Sequence, residues 1–163
     1  MHLKKVLVAL DPGNARSSAT FELALDLAKK GSCELLLYHC LPEETVAEVE
    51  DRIGLVAELE QSEALRKVDD RRQREAEHVR AWLDDLCGQA QGEGLSAGST
   101  VEVGKPGSAI VDLATHWGAD LIVLGWTRHG SLRERLVGGL VSYLTHHAPC
   151  SVLLVHGGGS PGA

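Results

Sequence analysis

The sequence contains few aromatic residues, one methionine and no long apolar run. Aromatic residues make up 4% of its 163 residues. No apolar stretch approaches the roughly 20 residues that span a bilayer. The amino-terminal stretch turns polar too early for a signal peptide and lacks a small-residue cleavage pattern. These absences favour a cytoplasmic protein that does not bind a membrane.

Basic charge and metal-ligand spacing are missing as well. The formal net charge is -7, which argues against broad binding to nucleic acid, since such binding needs a basic surface. The sequence has no Cys-x-x-Cys pair, so it predicts neither a zinc site nor a redox motif. The cysteines are far apart: Cys33, Cys40, Cys87 and Cys150. His146 and His147 are adjacent and would point about 100° apart on a helix, and His39 is interpreted as a core residue. The sequence therefore predicts no metal requirement.

Catalytic signatures are also lacking. The sequence has no Gly-x-Ser-x-Gly elbow, no cysteine-protease signature, no Rossmann Gly-x-Gly-x-x-Gly and no Walker Gly-Lys-Ser/Thr. We therefore expect a protein that is not an enzyme.

Short apolar runs alternate with amphipathic segments along the chain. The runs predict strands over residues 6–10, 35–40, 99–103, 121–124 and 152–155, and helical spacing predicts helices over 18–30, over 107–117 and after Gly139. Strands that are joined by helices indicate a parallel sheet in an α/β fold with helices on both faces. The length suits one domain, which we place at residues 1–156.

Two regions depart from this alternation. A long helix is predicted from about Asp69 to Gly88, with an apolar stripe that includes Val79 and Leu83. Upstream, residues 43–66 mix apolar and charged side chains, which fits either a second amphipathic helix or a mobile insertion within 43–68. Residues 157–163 are rich in glycine and are predicted to be disordered.

The stretch from Asp120 to Gly139 carries the strongest functional signal. A buried strand, residues 121–124, leads into a loop that contains Gly125, Gly130 and Gly138. Ligands of open parallel sheets bind beyond the carboxyl ends of the strands. The loop is therefore a candidate phosphate cradle.

Four segments of the chain resemble the universal stress protein family. The opening KKVLVALDPGNARSSATFELALDLAKKGSCELLLYHC is similar to the family's first β-α-β unit. The segment VEVGKPGSAIVDLATHWGADLIVLG carries the family's Gly-x-Pro and Ala-Asp-Leu-Ile-Val-x-Gly patterns. Residues 125–139 resemble the family's nucleotide loop, and the segment HAPCSVLLV resembles its last strand. The resemblance implies a five-stranded parallel sheet and a homodimer that is paired through the last strand, residues 151–155. It also implies that ATP or another adenine nucleotide is bound in some members.

The nucleotide loop departs from the family's ATP-binding pattern at two of its four positions. The pattern is Gly, two residues, Gly, nine residues, Gly and then Ser or Thr. Gly125 and Gly138 match it, whereas Arg128 replaces the second glycine and Gly139 replaces the Ser or Thr. Arg128 could pair with a phosphate or fold across the site and fill it. Gly139 is expected at the start of the next helix, where its N–H still faces an anion without the lost hydroxyl.

The resemblance also implies the residues around the base and ribose. Asp11 corresponds to the family's ligand-contacting Asp, although the residues alone fit a turn before Pro12 and Gly13 equally well. Thr127 stands where members often have His or Arg. The implied pocket is lined by Ala9, Leu10, Cys40, Leu124, Leu140 and Val141. Ser131 and Glu134 fit a capping box, and a phosphate contact by the Ser131 hydroxyl is the alternative.

Three functions remain at this point. The first is a non-enzymatic regulatory protein that binds an adenine nucleotide weakly. The second is a nucleotide-free protein-interaction module with the same fold, and the third is a very slow ATPase.

Overall fold

A computed structural model describes residues 2–43, 58–126 and 132–156 of the chain. Five strands alternate with four helices in these ranges, as the apolar pattern predicts. The elements are β1 (Lys5–Ala9), α1 (Ser17–Gly31), β2 (Glu34–Pro42), α2 (Glu58–Gly92), β3 (Ala97–Gly104), α3 (Pro106–Trp117), β4 (Leu121–Trp126), α4 (Leu132–His147) and β5 (Ser151–His156). The predicted disordered tail, residues 157–163, lies outside the described residues.

The five strands form one sheet in the order β3-β2-β1-β4-β5, and every neighbouring pair is parallel. This confirms the α/β fold and the parallel sheet. The strands exceed their apolar runs: β2 continues to Pro42, β4 continues to Trp126, and β5 begins at Ser151. Leu10, which the sequence placed in β1, follows the strand, although its N–H still bonds to the carbonyl of Tyr38 at 2.8 Å.

Helices cover both faces of the sheet, which explains why its strands are nearly continuous apolar runs. Val6 and Val8 of β1 pack with α1 and α2, whereas Leu7 between them packs with α3 and α4. Phe21 of α1 and Leu144 of α4 are buried in these two clusters. The core is therefore two apolar layers on either side of one sheet.

Asp120 joins β1 and β4 at the amino-terminal edge of the sheet. Its Oδ2 accepts hydrogen bonds from the backbone N–H groups of Lys4 and Lys5, each at 2.9 Å. These two bonds hold the pKa of the Asp120 carboxyl below its usual value. The Asp of the Ala-Asp-Leu-Ile-Val pattern is thus structural.

Helix α2 begins at Glu58, well before the predicted start at Asp69. Of the segment left open by the sequence, Glu58 to Arg66 therefore belongs to this helix, and residues 44–57 lie outside the described residues. Thirty-five residues make the helix about 52 Å long. The guanidinium of Arg72 donates a hydrogen bond to the carbonyl of Pro42 at 3.2 Å. Since Pro42 ends β2, the part of α2 ahead of Arg72 extends beyond the sheet.

Helix α4 corrects a second expectation, because it begins at Leu132 and not after Gly139. Leu, Arg and Glu at positions 132–136 are strong helix formers, and they carry the helix through the two glycines. Its later part is anchored by Leu144, which is fully buried, and by Tyr143, whose ring lies against Gly107 of α3. The helix starts where the capping box predicts, although Ser131 lies outside the described residues.

Candidate functional site

The strand order places a switch point between β1 and β4. From β1 the chain builds β2 and β3 on one side and β4 and β5 on the other. Ala9 is in register with Leu124, so Leu10 and Asp11 leave the sheet beside Gly125. Ligands of open α/β sheets bind at this kind of point, beyond the carboxyl ends of the strands. Asp11 and Gly125, which the sequence singles out separately, therefore lie at neighbouring strand ends.

Asp11 organises the loop between β1 and α1. Its Oδ1 accepts a hydrogen bond from the N–H of Gly13 at 2.8 Å, and its carbonyl accepts one from the Ser17 hydroxyl at 2.6 Å. The turn role of Asp11 is therefore present in the structure. The side chain is exposed, and its other oxygen, Oδ2, has no partner among the described residues. Asp11 can thus hold the turn and still accept a hydrogen bond from a ligand.

The residues expected to line the base pocket divide between the two faces of the sheet. Leu10 packs in the α1–α2 layer. The other five share the α3–α4 layer: Ala9, Cys40, Leu124, Leu140 and Val141. Cys40 is buried, and this burial raises the pKa of its thiol, so the residue adds to the apolar layer. The structure therefore brings most of the implied pocket residues together on one face.

Gly125 is required by a close approach that the sequence does not show. It lies within β4, paired with Val155, and the positive-φ glycines among the described residues are Gly94 and Gly118. A Cβ at position 125 would lie 2.8 Å from the Thr20 hydroxyl and 3.2 Å from Cβ of Arg16. Glycine is therefore needed at this position to make room for α1, and not to adopt a positive φ.

Arg16 is a neighbour of this site that the sequence reasoning missed. It occupies the position before α1, and its carbonyl accepts hydrogen bonds from the N–H and the hydroxyl of Thr20, both at 2.9 Å. Its side chain is half-buried and has no hydrogen bond or ion pair to any described residue. The sequence gives no sign of this neighbour, because Arg16 and Gly125 are close in space but far apart in the chain.

The rest of the predicted phosphate loop differs from expectation. Thr127 and Arg128 lie outside the described residues. Gly138 and Gly139 lie in the interior of α4, where backbone N–H groups bond to carbonyls of the preceding turn. A Cβ at Gly139 would meet no atom within 4 Å. The expectation that Gly139 starts a helix and offers its N–H to an anion is therefore wrong for this conformation.

His39 and two open clefts are further features of the described residues. His39 Nδ1 lies 2.7 Å from the Leu10 carbonyl, as expected for a hydrogen-bonded core residue. No group of three or more His, Cys, Asp or Glu among the described residues could hold a metal ion.

An open cleft of about 460 Å³ lies between β3 and α3, and another of about 770 Å³ lies at the amino-terminal edge. Neither cleft includes Asp11 or Gly125, so the candidate site rests on strand topology. None of the helices in these ranges is long and apolar enough to cross a membrane.

Comparison with known proteins gives a consistent result along the whole chain. The model of the universal stress protein family matches residues 2–156. Universal stress protein Sll1388 of Synechocystis is 34% identical over 152 residues, which cover 93% of this chain and 96% of that protein.

Solved structures of similar shape agree with the fold. Hypothetical protein MJ0577 superposes with a TM-score of 0.71 at 20% identity, covering 98% of this chain and all of that one. A universal stress protein in complex with cAMP gives 0.63 at 20% identity, covering 96% and 98%. A universal stress protein family protein of Arabidopsis thaliana with AMP bound gives 0.60 at 17% identity, covering 95% and 92%. At these identities the likeness establishes the fold.

Proposed function

This chain belongs to the universal stress protein family, as its sequence predicted, and we propose that it is a non-enzymatic regulatory protein that binds ATP or another adenine nucleotide. The observation that carries the proposal is that Asp11 and Gly125 follow neighbouring strand positions, Ala9 and Leu124, at the switch point of the sheet. The complexes of similar proteins with cAMP and AMP support an adenine nucleotide as the ligand class.

The residues at β1, β2 and β4 fit such a ligand. Asp11 is exposed, and its Oδ2, which has no partner in the described part of the chain, can accept a hydrogen bond from a ribose hydroxyl or an adenine amine. Ala9, Leu140 and Val141, the partly buried members of the implied pocket, offer an apolar surface on which a base can pack. An adenine nucleotide would lie across this edge, with its base towards β1 and β2.

The residues expected at the phosphates fit less well, so we propose weak binding. Gly139 lacks the hydroxyl of the family pattern, and one hydrogen bond to a charged group is worth roughly 1.5 to 3 kcal/mol. This corresponds to one to two decades of affinity. In addition, Gly138 and Gly139 lie within α4, so their N–H groups bond to carbonyls of the preceding turn and not to a phosphate. The affinity is therefore expected to lie below that of a family member that carries the complete glycine pattern.

Equilibrium dialysis with labelled ATP, ADP, AMP and cAMP at millimolar concentration tests the proposal. Asp11→Ala should weaken binding, and Asp11→Asn separates charge from turn geometry, because the amide oxygen can still accept from Gly13. Asp112→Ala, an exposed carboxylate on α3, is the matched control and should bind like the wild type. Absence of saturable binding, or binding that Asp11→Ala leaves unchanged, would contradict the nucleotide proposal. ATP turnover above that of heat-killed protein would contradict the non-enzymatic part and favour the slow ATPase.

We also propose a homodimer through residues 151–155. β5 is an edge strand, and Val152, Leu153 and Leu154 on it are only partly buried. Apolar edge strands are usually paired or covered. Light scattering at tens of micromolar should give the mass of two chains, and a monomeric mass would refute the dimer. We expect the dimer to act in the cytoplasm, without nucleic acid or membrane.

A nucleotide-free interaction module is the second candidate, favoured by one observation. Helix α2 extends beyond the sheet, and Leu65 on this extension is 49% exposed. A protein partner could pack there. Leu65→Asp should then abolish co-purification of that partner without changing the circular dichroism of the protein. Nucleotide binding together with an unchanged set of co-purifying proteins would exclude this candidate.

A further inference from the structure

We propose that Arg16 contacts the phosphates of the nucleotide, and that its guanidinium supplies the charge that the nucleotide loop was expected to provide. This inference rests on the proposed adenine-nucleotide site and adds to it a residue from the opposite end of the β1–α1 loop. It is carried by the position of Arg16 and by the absence of any partner for its side chain among the residues that the structure describes.

The position of Arg16 is fixed at the carboxyl edge of β4. Its carbonyl accepts two hydrogen bonds from Thr20, which hold it at the first turn of α1. Its Cβ lies 3.2 Å from the place that a Cβ on Gly125 would occupy. Gly125 is the residue after Leu124, which is in register with Ala9. Asp11 and Arg16 thus flank the switch point, Asp11 at the end of β1 and Arg16 beside the end of β4.

The charge of Arg16 is not compensated within the described part of the protein. Its side chain is half-buried and makes no hydrogen bond or ion pair there. The carboxylate of the same loop, Asp11, directs its Oδ1 to the N–H of Gly13. A planar guanidinium on a residue that is anchored at this edge, with no partner in the described ranges, is suited to bind a phosphate through two parallel hydrogen bonds.

Capping does not explain an arginine at this position. Residues that precede a helix are preferentially Ser, Thr, Asp or Asn, whose side chains bond to free N–H groups. Arg16 occupies the N-cap and makes no such bond. Ser17 and Asn14 brace the loop instead, through the carbonyl of Asp11 and the N–H of Arg16. Asn14 thus supplies the capping bond, since its Oδ1 accepts from the N–H two residues on, and the Arg16 guanidinium takes no part in starting α1.

Arg16 lies beside the strand that leads into the nucleotide loop, the side on which the phosphates are expected. Asp11 and the apolar surface take the base and ribose, and the chain leaves β4 for the nucleotide loop beside Arg16. Gly138 and Gly139 are within α4, so a phosphate at this edge needs another donor. Arg16 is therefore expected to act in proportion to the number of phosphates on the ligand.

Binding of adenosine, AMP, ADP and ATP to Arg16→Gln and Arg16→Lys tests this role by calorimetry or dialysis. In the wild type, affinity should rise from adenosine to ATP. Arg16→Gln should lose about 10-fold to 100-fold for ATP, the usual effect of one charged hydrogen bond, and nothing for adenosine. Arg16→Lys should recover part of the loss, since it keeps the charge without the fork.

Lys105→Gln is the matched control. Lys105 is an exposed cation directly after β3, three strand spacings or about 14 Å from β4. Its replacement should leave the ratio of ATP to adenosine affinity unchanged. Thermal unfolding of each variant checks the fold. Arg16→Gln should not alter it, because the Arg16 side chain makes no hydrogen bond within residues 2–43, 58–126 and 132–156.

The outcomes separate the two proposals. If the wild type binds ATP and responds to Asp11→Ala, but Arg16→Gln keeps the wild-type ratio of ATP to adenosine affinity, the role of Arg16 is overturned and the nucleotide site stands. An equal loss in Lys105→Gln also overturns it, because the effect is then one of general charge. If the wild type binds no adenine nucleotide, the proposed function fails and the role of Arg16 fails with it.

Discussion

Replacement of Gly125 by alanine should destabilise the protein, because α1 leaves no space for a side chain at this position. The added methyl would lie 2.8 Å from the Thr20 hydroxyl and 3.2 Å from Cβ of Arg16. Thr20 is fully buried and its hydroxyl bonds to the Arg16 carbonyl. Neither neighbour is the end of a flexible side chain, so α1 must move away from β4.

The size of the effect follows from the cost of overpacking a close contact, about 1 to 3 kcal/mol. For a domain of this length each kcal/mol lowers the Tm by about 2 to 4 °C. Gly125→Ala should therefore lower the Tm by about 2 to 12 °C. In urea, the midpoint should fall while the slope of the free energy of unfolding stays constant.

Gly139→Ala is a control with the opposite expected sign. A Cβ at Gly139 would meet no atom within 4 Å, and alanine in a helix interior is favoured over glycine by about 0.5 to 1 kcal/mol. If Gly139 were instead the residue before a helix, alanine would destabilise it. The sign of this change thus tests the extent of α4.

A double variant tests the cause assigned to Gly125. Thr20→Ala removes the hydroxyl that the new methyl would meet, so Gly125→Ala should cost less in that background, by at least about 0.5 kcal/mol of coupling. If Gly125→Ala unfolds within about 0.5 kcal/mol of the wild type, or the two changes are additive, the packing argument is wrong.

Three further predictions concern the frame of the site. Asp120→Ala should lower the Tm at neutral pH. The pKa of this carboxyl is lowered in the folded protein, so its contribution to stability is fully present above its usual pKa. The difference in Tm from wild type should therefore shrink as pH falls through and below about 4. A difference that stays constant with pH would contradict this. Gly118→Ala should lower the free energy of unfolding by about 1 kcal/mol, since Gly118 caps α3 with a φ of 75°. Gly104→Ala is the control, because a Cβ at Gly104 would meet no atom within 4 Å, and it should change stability little. Cys150 is less buried than the other three cysteines, so it should react first with a thiol reagent at pH 8. Peptide mass spectrometry measures the rate at each cysteine. Equal rates for all four would contradict the prediction and indicate that the fold opens.

The fold could be predicted from the sequence because burial on both faces leaves a visible signal. Leu121, Ile122 and Val123 read as a strand since both layers of the core need apolar side chains there. The ends of strands could not be placed in this way. Ser151 and Pro42 join the sheet through backbone pairing, and their side chains give no sign of it.

The site could be predicted only in outline. Asp11 and Gly125 were found because parallel strand ends meet at one edge. The reason for Gly125 was missed, because the approach of Thr20 depends on how α1 crosses β4. Arg16 was missed for the same reason. The start of α4 was misplaced since two adjacent glycines outweighed the strong helix formers before them.

The uneven packing of α2 gives one helix two levels of local stability. Val79 and Leu83 are buried against the sheet, whereas Leu65 is exposed on the part that extends past it. Opening the last turns would expose core side chains, but opening the first turns costs little more than the helical hydrogen bonds. Amide hydrogen exchange should therefore be graded along α2. Residues ahead of Arg72 are expected to exchange by local fraying, and those around Leu83 only when the whole domain unfolds.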